Sequence, residues 1–286
     1  MKDRGGLGHL RHSPEGRAWL RRLPELRDRA ARRWSLSLGE PLPGATASVV
    51  LPATTASGER VVLKLAFPHH ESRQEPDALR RWSGRGAVRL LDHDPGSGAL
   101  LLERCLPGTP LFEIGPEAAV DALVELLPSL WVSADGFDTL ADEAAWWAGY
   151  LPQRWDGAGR PFPRLLLDAA LTALRELPGS QGPPVLTHQD LHAGNVLRSQ
   201  RQPWLAIDPK PLAAEREFSL APIVRGRELG HSREAVVSRL DRLSTALGLE
   251  RERARRWALA QTVAWSIEGD VVVPGHVDVA SWLHQA

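Results

Sequence analysis

From residue 14 to 33, Trp19, Leu20, Leu23, Leu26 and Ala30 fall at helical spacing and predict a helix with one apolar face. Pro24 lies inside that stretch and is expected to kink or divide it. The pattern then changes to short β-branched runs. ATASVVLP and RVVLKLAF are bounded by proline and glycine, and the SGE between them predicts an antiparallel pair. HESRQEPDALRRW follows with helical composition, where Pro76 belongs in a first turn or marks a kink. AVRLLDHD and ALLLERC predict a hairpin around the PGSG turn, and strand signals stop at LPGTP, near residue 106.

From Pro116 the periodicity is helical. PEAAVDALVELLPSLW, DTLADEAAWWAGYL and PRLLLDAALTALREL carry apolar residues at i, i+3 and i+4. A loop, PGSQGPP, leads to VLTHQDLHAGNVL and PWLAIDPK, which read as short strands flanking polar loops. SREAVVSRLDRLSTAL, ERERARRWALAQTVAWSIEG and HVDVASWL predict the closing helices. No internal repeat interrupts this order. The expected fold class is α/β (α+β), with a small β-rich lobe over residues 1–105 and a larger helical lobe over residues 106–286.

Composition narrows the function classes. The 35 basic and 35 acidic residues cancel, which argues against a nucleic-acid coat or a basic membrane-surface protein. The single cysteine, Cys105, excludes an intramolecular disulfide and a Cys-rich zinc site. The N-terminus lacks the apolar segment of a signal peptide, and no run reaches the roughly 18 apolar residues of a membrane span, so the expected location is cytoplasmic. Lysine occurs only as Lys2, Lys64 and Lys210 among the 35 basic residues, so each one invites a reason.

The densest polar cluster in an apolar setting is HQDLHAGN, residues 188–195. One reading takes His188, Asp190 and His192 as zinc ligands, since alternate residues of a strand face one side; Gly194 and Asn195 point instead to a loop, a poor frame for such a site. The other reading is phosphoryl transfer. Asp190 then accepts the substrate hydroxyl proton, while Asn195 and Asp208, at the end of the next strand, supply hard oxygens to Mg²⁺ bridging the phosphates of ATP. That chemistry also needs a lysine for the phosphates and a helical glutamate to orient it. Lys64 sits mid-strand among apolar residues, a poor place for an unpartnered charge. Glu75 or Glu71 follows on the helix, Glu75 being preferred. A hinge that binds adenine through its backbone is expected in LLLERCLPGTPL, around Glu103 and Cys105. No GxGxxG precedes Lys64, so the loop GATASVV would cover the phosphates with Ser48 and its backbone. This favours a small-molecule kinase over a protein kinase.

These residues resemble the aminoglycoside phosphotransferase-like kinases, and more closely their streptomycin kinase branch, the aminoglycoside/hydroxyurea resistance kinases. LSLGEPLPGATASVV, VVLKLAFPHHESRQEPDALRRWSGRGAVRLL, ALLLERCLPGTPL, THQDLHAGNVL, WLAIDPK and AQTVAWSIEGD carry the similarity in order over about residues 34–270. The resemblance implies a bilobal protein-kinase-like fold that transfers the ATP γ-phosphate to a hydroxyl of a small cationic antibiotic. By position it makes Lys64 and Glu75 the phosphate-binding pair, Asp190 the base, and Asn195 and Asp208 the Mg²⁺ ligands. It gives His188 a structural role and leaves Lys210 either structural or phosphate-facing. Ser219 stands where the branch usually has an aspartate, and Ala214 near its glycine, which weakens streptomycin as the acceptor more than the kinase chemistry.

A cationic acceptor needs carboxylates. The candidates are Glu268 and Asp270, expected at the end of the helix TVAWSIEG, then Asp142, Glu143 and Glu215, with Trp265 as a stacking surface. Three other functions compete: a kinase for a tuberactinomycin-type peptide, hydroxyurea or a metabolite alcohol; an inactive nucleotide-binding pseudokinase; and a zinc hydrolase.

Overall fold

The computed structural model describes residues 7–45, 47–269 and 271–286, arranged as two compact units that divide between Gly108 and Thr109. In the first unit, helix α1 (Pro14–Arg33) starts where the Ser13 side chain accepts a hydrogen bond from the Gly16 N–H, at 2.9 Å. Pro24 does not divide this helix. Its ring is exposed, so the carbonyl deprived of a donor is left on the solvent side. Strands β1 (Ser37–Leu38), β2 (Ser48–Thr54) and β3 (Arg60–Ala66) follow. Helix α2 (Glu75–Trp82) takes Pro76 into its first turn, where the missing N–H costs nothing. Strands β4 (Leu90–Asp94) and β5 (Ala99–Glu103) complete a five-stranded sheet in the order β1-β2-β3-β5-β4, antiparallel throughout. Trp19, Leu26 and Ala30 of α1 pack on Leu51, Leu63, Leu65 and Ala99 of the sheet. Lys64 lies between two of those positions on β3 and so faces the other side of the sheet.

The second unit is mostly helical. Helices α3 (Pro116–Leu130), α4 (Leu140–Gly157) and α5 (Arg164–Glu176) precede two short antiparallel pairs. Strand β6 (Val185–His188) pairs with β9 (Pro211–Ala214), and between them in the chain β7 (Val196–Arg198) pairs with β8 (Trp204–Ala206). Helices α6 (Ala221–Arg225), α7 (Arg233–Leu247) and α8 (Arg251–Ala264) follow. Every residue of α8 from Trp257 to Ala264 is buried, including Gln261 and Thr262, as expected of a helix at the centre of its unit. The helix stops at Ala264, earlier than its apolar pattern suggests. Ile267–Glu268 instead forms a strand, β10, paired with β11 (Val271–Val272), before helix α9 (Pro274–His284) closes the chain. No helix among the described residues is long and apolar enough to cross a membrane.

Two polar devices hold this unit. Glu215, only 1% exposed, receives Arg253 Nε at 2.6 Å, the Gly182 N–H at 3.0 Å and the Trp257 indole N–H. Arg253 also donates to the Leu177 carbonyl at 2.8 Å and lies 3.1 Å from Ser180 Oγ. Where α9 meets the end of α8, His276 Nδ1 lies 2.8 Å from the Trp265 carbonyl. Burial, then the nearby Arg225 charge, pushes the His276 pKa down to about 4, so the neutral ring donates its Nδ1–H.

Two outcomes are expected. Arg253→Met leaves Glu215 buried without its counter-charge and should lower unfolding free energy by about 3–5 kcal/mol, read from denaturant titration. His276 stays neutral in the folded chain down to about pH 4, whereas the unfolded chain takes up its proton near 6.5. Its contribution to stability is therefore intact above pH 6.5 and is lost as pH falls towards 4, by about 3 kcal/mol in all. Unfolding curves at several pH values should show that loss, and His276→Asn should flatten it.

Candidate active site

In the first unit, Lys64 is placed by β3, opposite Val50 on β2 and Leu100 on β5. Its ammonium lies 2.6 Å from each carboxylate oxygen of Glu75, the first residue of α2, and the two residues are 4% and 1% exposed. An ammonium is costly in an apolar sheet unless paired, and this bidentate contact supplies the pairing. Of the two glutamates weighed from the sequence, Glu75 is the partner. Ser48 opens β2 opposite Ala66, on the same sheet face as Lys64 by the two-residue alternation, and is buried. Glu103 ends β5 and accepts the Arg89 N–H at 3.0 Å; Cys105 is buried just beyond it.

In the second unit the loop after β6 and the loop after β8 are fastened together. His188 Nε2 lies 2.8 Å from the Ile207 carbonyl, and its Nδ1 accepts the Asp190 N–H at 3.3 Å. Burial pushes the His188 pKa down, so the ring is neutral and can donate on one side while accepting on the other. With both nitrogens engaged, His188 has no lone pair for a metal, and the zinc reading of His188, Asp190 and His192 falls. Gln189 N–H donates to the Lys210 carbonyl at 3.0 Å, and Ile207 N–H to the Asn195 carbonyl at 2.9 Å. Asn195 Nδ2 donates to the Asp190 carbonyl at 2.9 Å, which leaves its side-chain oxygen as the acceptor of that group. Asp208 is exposed and holds a left-handed φ of +57°, a conformation costing about 1 kcal/mol or more outside glycine and common at functional loops. Asn195 and Asp208 thus offer an amide oxygen and a carboxylate on hydrogen-bonded loop segments, a donor set that fits Mg²⁺.

Around Asp190 stand two cations. Lys210 Nζ is 3.5 Å from Oδ2 and Arg225 Nη2 is 3.8 Å from Oδ1. Both cations also sit over the Trp265 indole, at 4.3 and 4.5 Å from its centroid. Trp265 thus meets both cations with its ring, while its backbone ends α8. The loop is braced from below by Glu228, whose Oε1 accepts the Ala193 N–H at 2.8 Å and lies 3.2 Å from His192 Nδ1. Burial opposes both charges, but their pairing prevails: Glu228 is held at about 2 and His192 is raised. Gly194 N–H also reaches His192 Nδ1, at 3.1 Å. A Cβ on Gly194 would come within 2.8 Å of that ring, so the position is confined to glycine while His192 stays paired.

Two of the acceptor candidates, Glu215 and Asp142, are engaged in structural contacts. Glu215 is a buried structural acid whose oxygens serve Arg253, Trp257 and Gly182. Asp142 accepts from Thr139 Oγ1 at 2.6 Å in the first turn of α4. Glu268 is on a strand rather than at a helix end. Its side chain, and Asp270 as a whole, lie outside the described residues. Ser219 is buried and accepts the Trp131 indole N–H at 3.0 Å. Three residues that sequence reasoning passed over join the site: Arg225, Glu228 and Gln261. The signal available for Gln261 was a lone amide in the apolar run ALAQTVA, and for Arg225 a lone cation after LAPIV.

Known proteins resemble this chain in sequence and in fold. The family described as aminoglycoside/hydroxyurea antibiotic resistance kinase matches residues 33–269. A streptomycin 6-kinase of Streptomyces glaucescens is 40% identical over 266 residues, covering 89% of this chain and 86% of that one. A hydroxyurea phosphotransferase of Kitasatospora aureofaciens is 39% identical over 269 residues, covering 91% and 78%. Among solved structures, a choline kinase from Streptococcus pneumoniae superposes with a TM-score of 0.63 at 14% identity, covering 92% of this chain and 97% of that one. A thermostable mutant of an aminoglycoside phosphotransferase superposes with a TM-score of 0.60 at 16% identity, covering 90% and 94%. These structures share the protein-kinase-like fold, and the sequence relatives fix the branch: the chain is a phosphotransferase that belongs to the aminoglycoside/hydroxyurea antibiotic resistance kinases.

Proposed function

We propose that this kinase transfers the γ-phosphoryl group of ATP to a hydroxyl of a streptomycin-like aminoglycoside and thereby inactivates it. The observation that carries the reading is Asp190, a partly exposed carboxylate whose backbone is tied down while its side chain makes, among the described residues, long contacts to two cations. Such a group keeps lone pairs for an incoming hydroxyl. A carboxylate suffices as base, because a loose phosphoryl-transfer transition state asks for little proton removal early. Lys64, oriented by Glu75, meets the α- and β-phosphates. Asn195 and Asp208 hold Mg²⁺, which supplies charge neutralisation to the phosphates when bound. Ser48 with its neighbouring backbone covers the phosphates, and the segment around Glu103 and Cys105 receives adenine.

A second acceptor has a specific observation behind it. The hydroxyurea phosphotransferase is as similar to this chain as the streptomycin kinase is. Hydroxyurea is small and uncharged and would need none of the acidic residues that a guanidinylated sugar calls for.

The deciding measurement is phosphate transfer from Mg·ATP to a panel containing streptomycin, other aminoglycosides, tuberactinomycin-type peptides and hydroxyurea, followed by mass spectrometry. Streptomycin is expected to gain one phosphate. Gain on hydroxyurea alone would select the second acceptor, and gain on neither would end the antibiotic reading. Asp190→Asn should lower kcat by about 10²–10⁴-fold. Asp208→Asn should leave folding intact and raise the Mg²⁺ concentration for half-maximal rate by about tenfold or more, read from a magnesium titration at fixed ATP.

A further inference from the structure

Gln261 is wholly buried in the middle of α8, and a buried amide persists only if its groups are satisfied. Its Nε2 donates to the Gln189 carbonyl at 2.9 Å, beside Asp190 in the chain, and its Oε1 accepts from Arg225 Nη1 at 3.0 Å. Arg225, at the end of α6 and 7% exposed, is thereby gripped at one end of its fork. Its plane rests over Trp265, and its other nitrogen faces Asp190 Oδ1 at 3.8 Å. One chain of contacts thus runs from α8 through the guanidinium to the carboxylate, and back to the same loop through Gln189.

The Asp190 backbone is held independently, by His188, Asn195 and the His192 N–H, which donates to its carbonyl at 2.9 Å. None of those contacts controls rotation of the carboxylate. Two groups do, and they differ. Lys210 reaches Oδ2 on a flexible stem, with its side chain 24% exposed. Arg225 is planar, buried and anchored at two further points. At 3.8 Å it attracts Oδ1 without saturating it as a short hydrogen bond would.

We propose that Arg225, held by Gln261, is a positioning residue that sets the direction of the Asp190 carboxylate towards the acceptor hydroxyl. The inference rests on the reading of Asp190 as the base. A fixed carboxylate meets the hydroxyl in line with the phosphorus; a rotating one spends most of its time misaligned, and a displacement of about 1 Å can cost about 100-fold in rate. The loss should fall on kcat, because both residues act through the Asp190 loop.

The test compares Arg225→Met and Gln261→Met, each alone and combined with Asp190→Asn, in the full chain. The single variants should lower kcat by about 10–100-fold while the KM for ATP moves less than about threefold. In the Asp190→Asn background the same changes should cost nothing further, since a residue that acts through Asp190 has nothing left to act on. Equal losses in both backgrounds, or a loss confined to the KM for ATP, would overturn the proposal. Arg225→Lys provides the milder variant if Arg225→Met does not fold. It keeps the charge but cannot span Gln261 and Asp190 together, so kcat should stay below wild type; a wild-type kcat would also overturn the proposal. If Asp190→Asn itself transfers phosphate normally, the base reading fails and takes the inference with it. An inactive Asp190→Asn beside a fully active Arg225→Met would overturn the positioning role alone.

Discussion

A single neutral imidazole joins the two loops that carry the candidate catalytic and metal-binding residues of the second unit. His188 is buried enough to stay uncharged, and only in that state can it donate to Ile207 while accepting from Asp190. The two loops lie about twenty residues apart in sequence, and each is polar and short. Left alone, each would sample many conformations at a cost of about 1–2 kcal/mol per residue to order. The imidazole, with the Gln189–Lys210 and Asn195–Ile207 backbone bonds, converts them into one fixed surface. Asp190, Asn195, Asp208 and Lys210 take their positions from that surface, and β6–β9 and β7–β8 are the short ladders that bring the loops together.

The buried charges fall into two kinds, and contact length separates them. Lys64 with Glu75 and Arg253 with Glu215 meet at 2.6 Å, each carboxylate almost sealed from water. Arg239 is handled differently: it donates to the Val224 and Leu229 carbonyls, and burial pushes its pKa down to about 10. These groups are held by short contacts to the protein. The two cations beside Asp190 stand off at 3.5 and 3.8 Å, near enough to favour its charge and too far to consume its lone pairs. The difference between a structural acid and the candidate base is here a difference of about an ångström.

The candidate kinase residues were legible because the proposed chemistry imposes spacing. An Asp, an Asn five residues on and an Asp on the next strand end form a pattern that few other requirements produce, and a lysine inside VVLKL demands a partner wherever it occurs. The hairpins were legible from turn residues and β-branched runs. Other features were not. Pro24 reads as a break, but the helix runs through it because its exposed face has water to satisfy the freed carbonyl. The end of α8 at Ala264 carries no glycine or proline to mark it, and the apolar run WSI continues into a strand. Glu215 and Glu268 are both acids in a chain rich in acids; only burial and neighbours tell a core ion pair from a surface group. Arg225 and Gln261 escaped for the same reason, since their significance lies in what they touch across four elements.

The three lysines of this chain have a practical consequence. Lys64 is locked against Glu75 beneath the sheet surface, whereas Lys210 keeps a quarter of its side chain open beside Asp190. Amine-directed reagents, which modify most proteins at many scattered points, therefore meet few targets here, and one of them stands at the candidate base. Acylation mapped by mass spectrometry would act as a footprint of the site itself, with ligand occupancy read from the protection of a single amine.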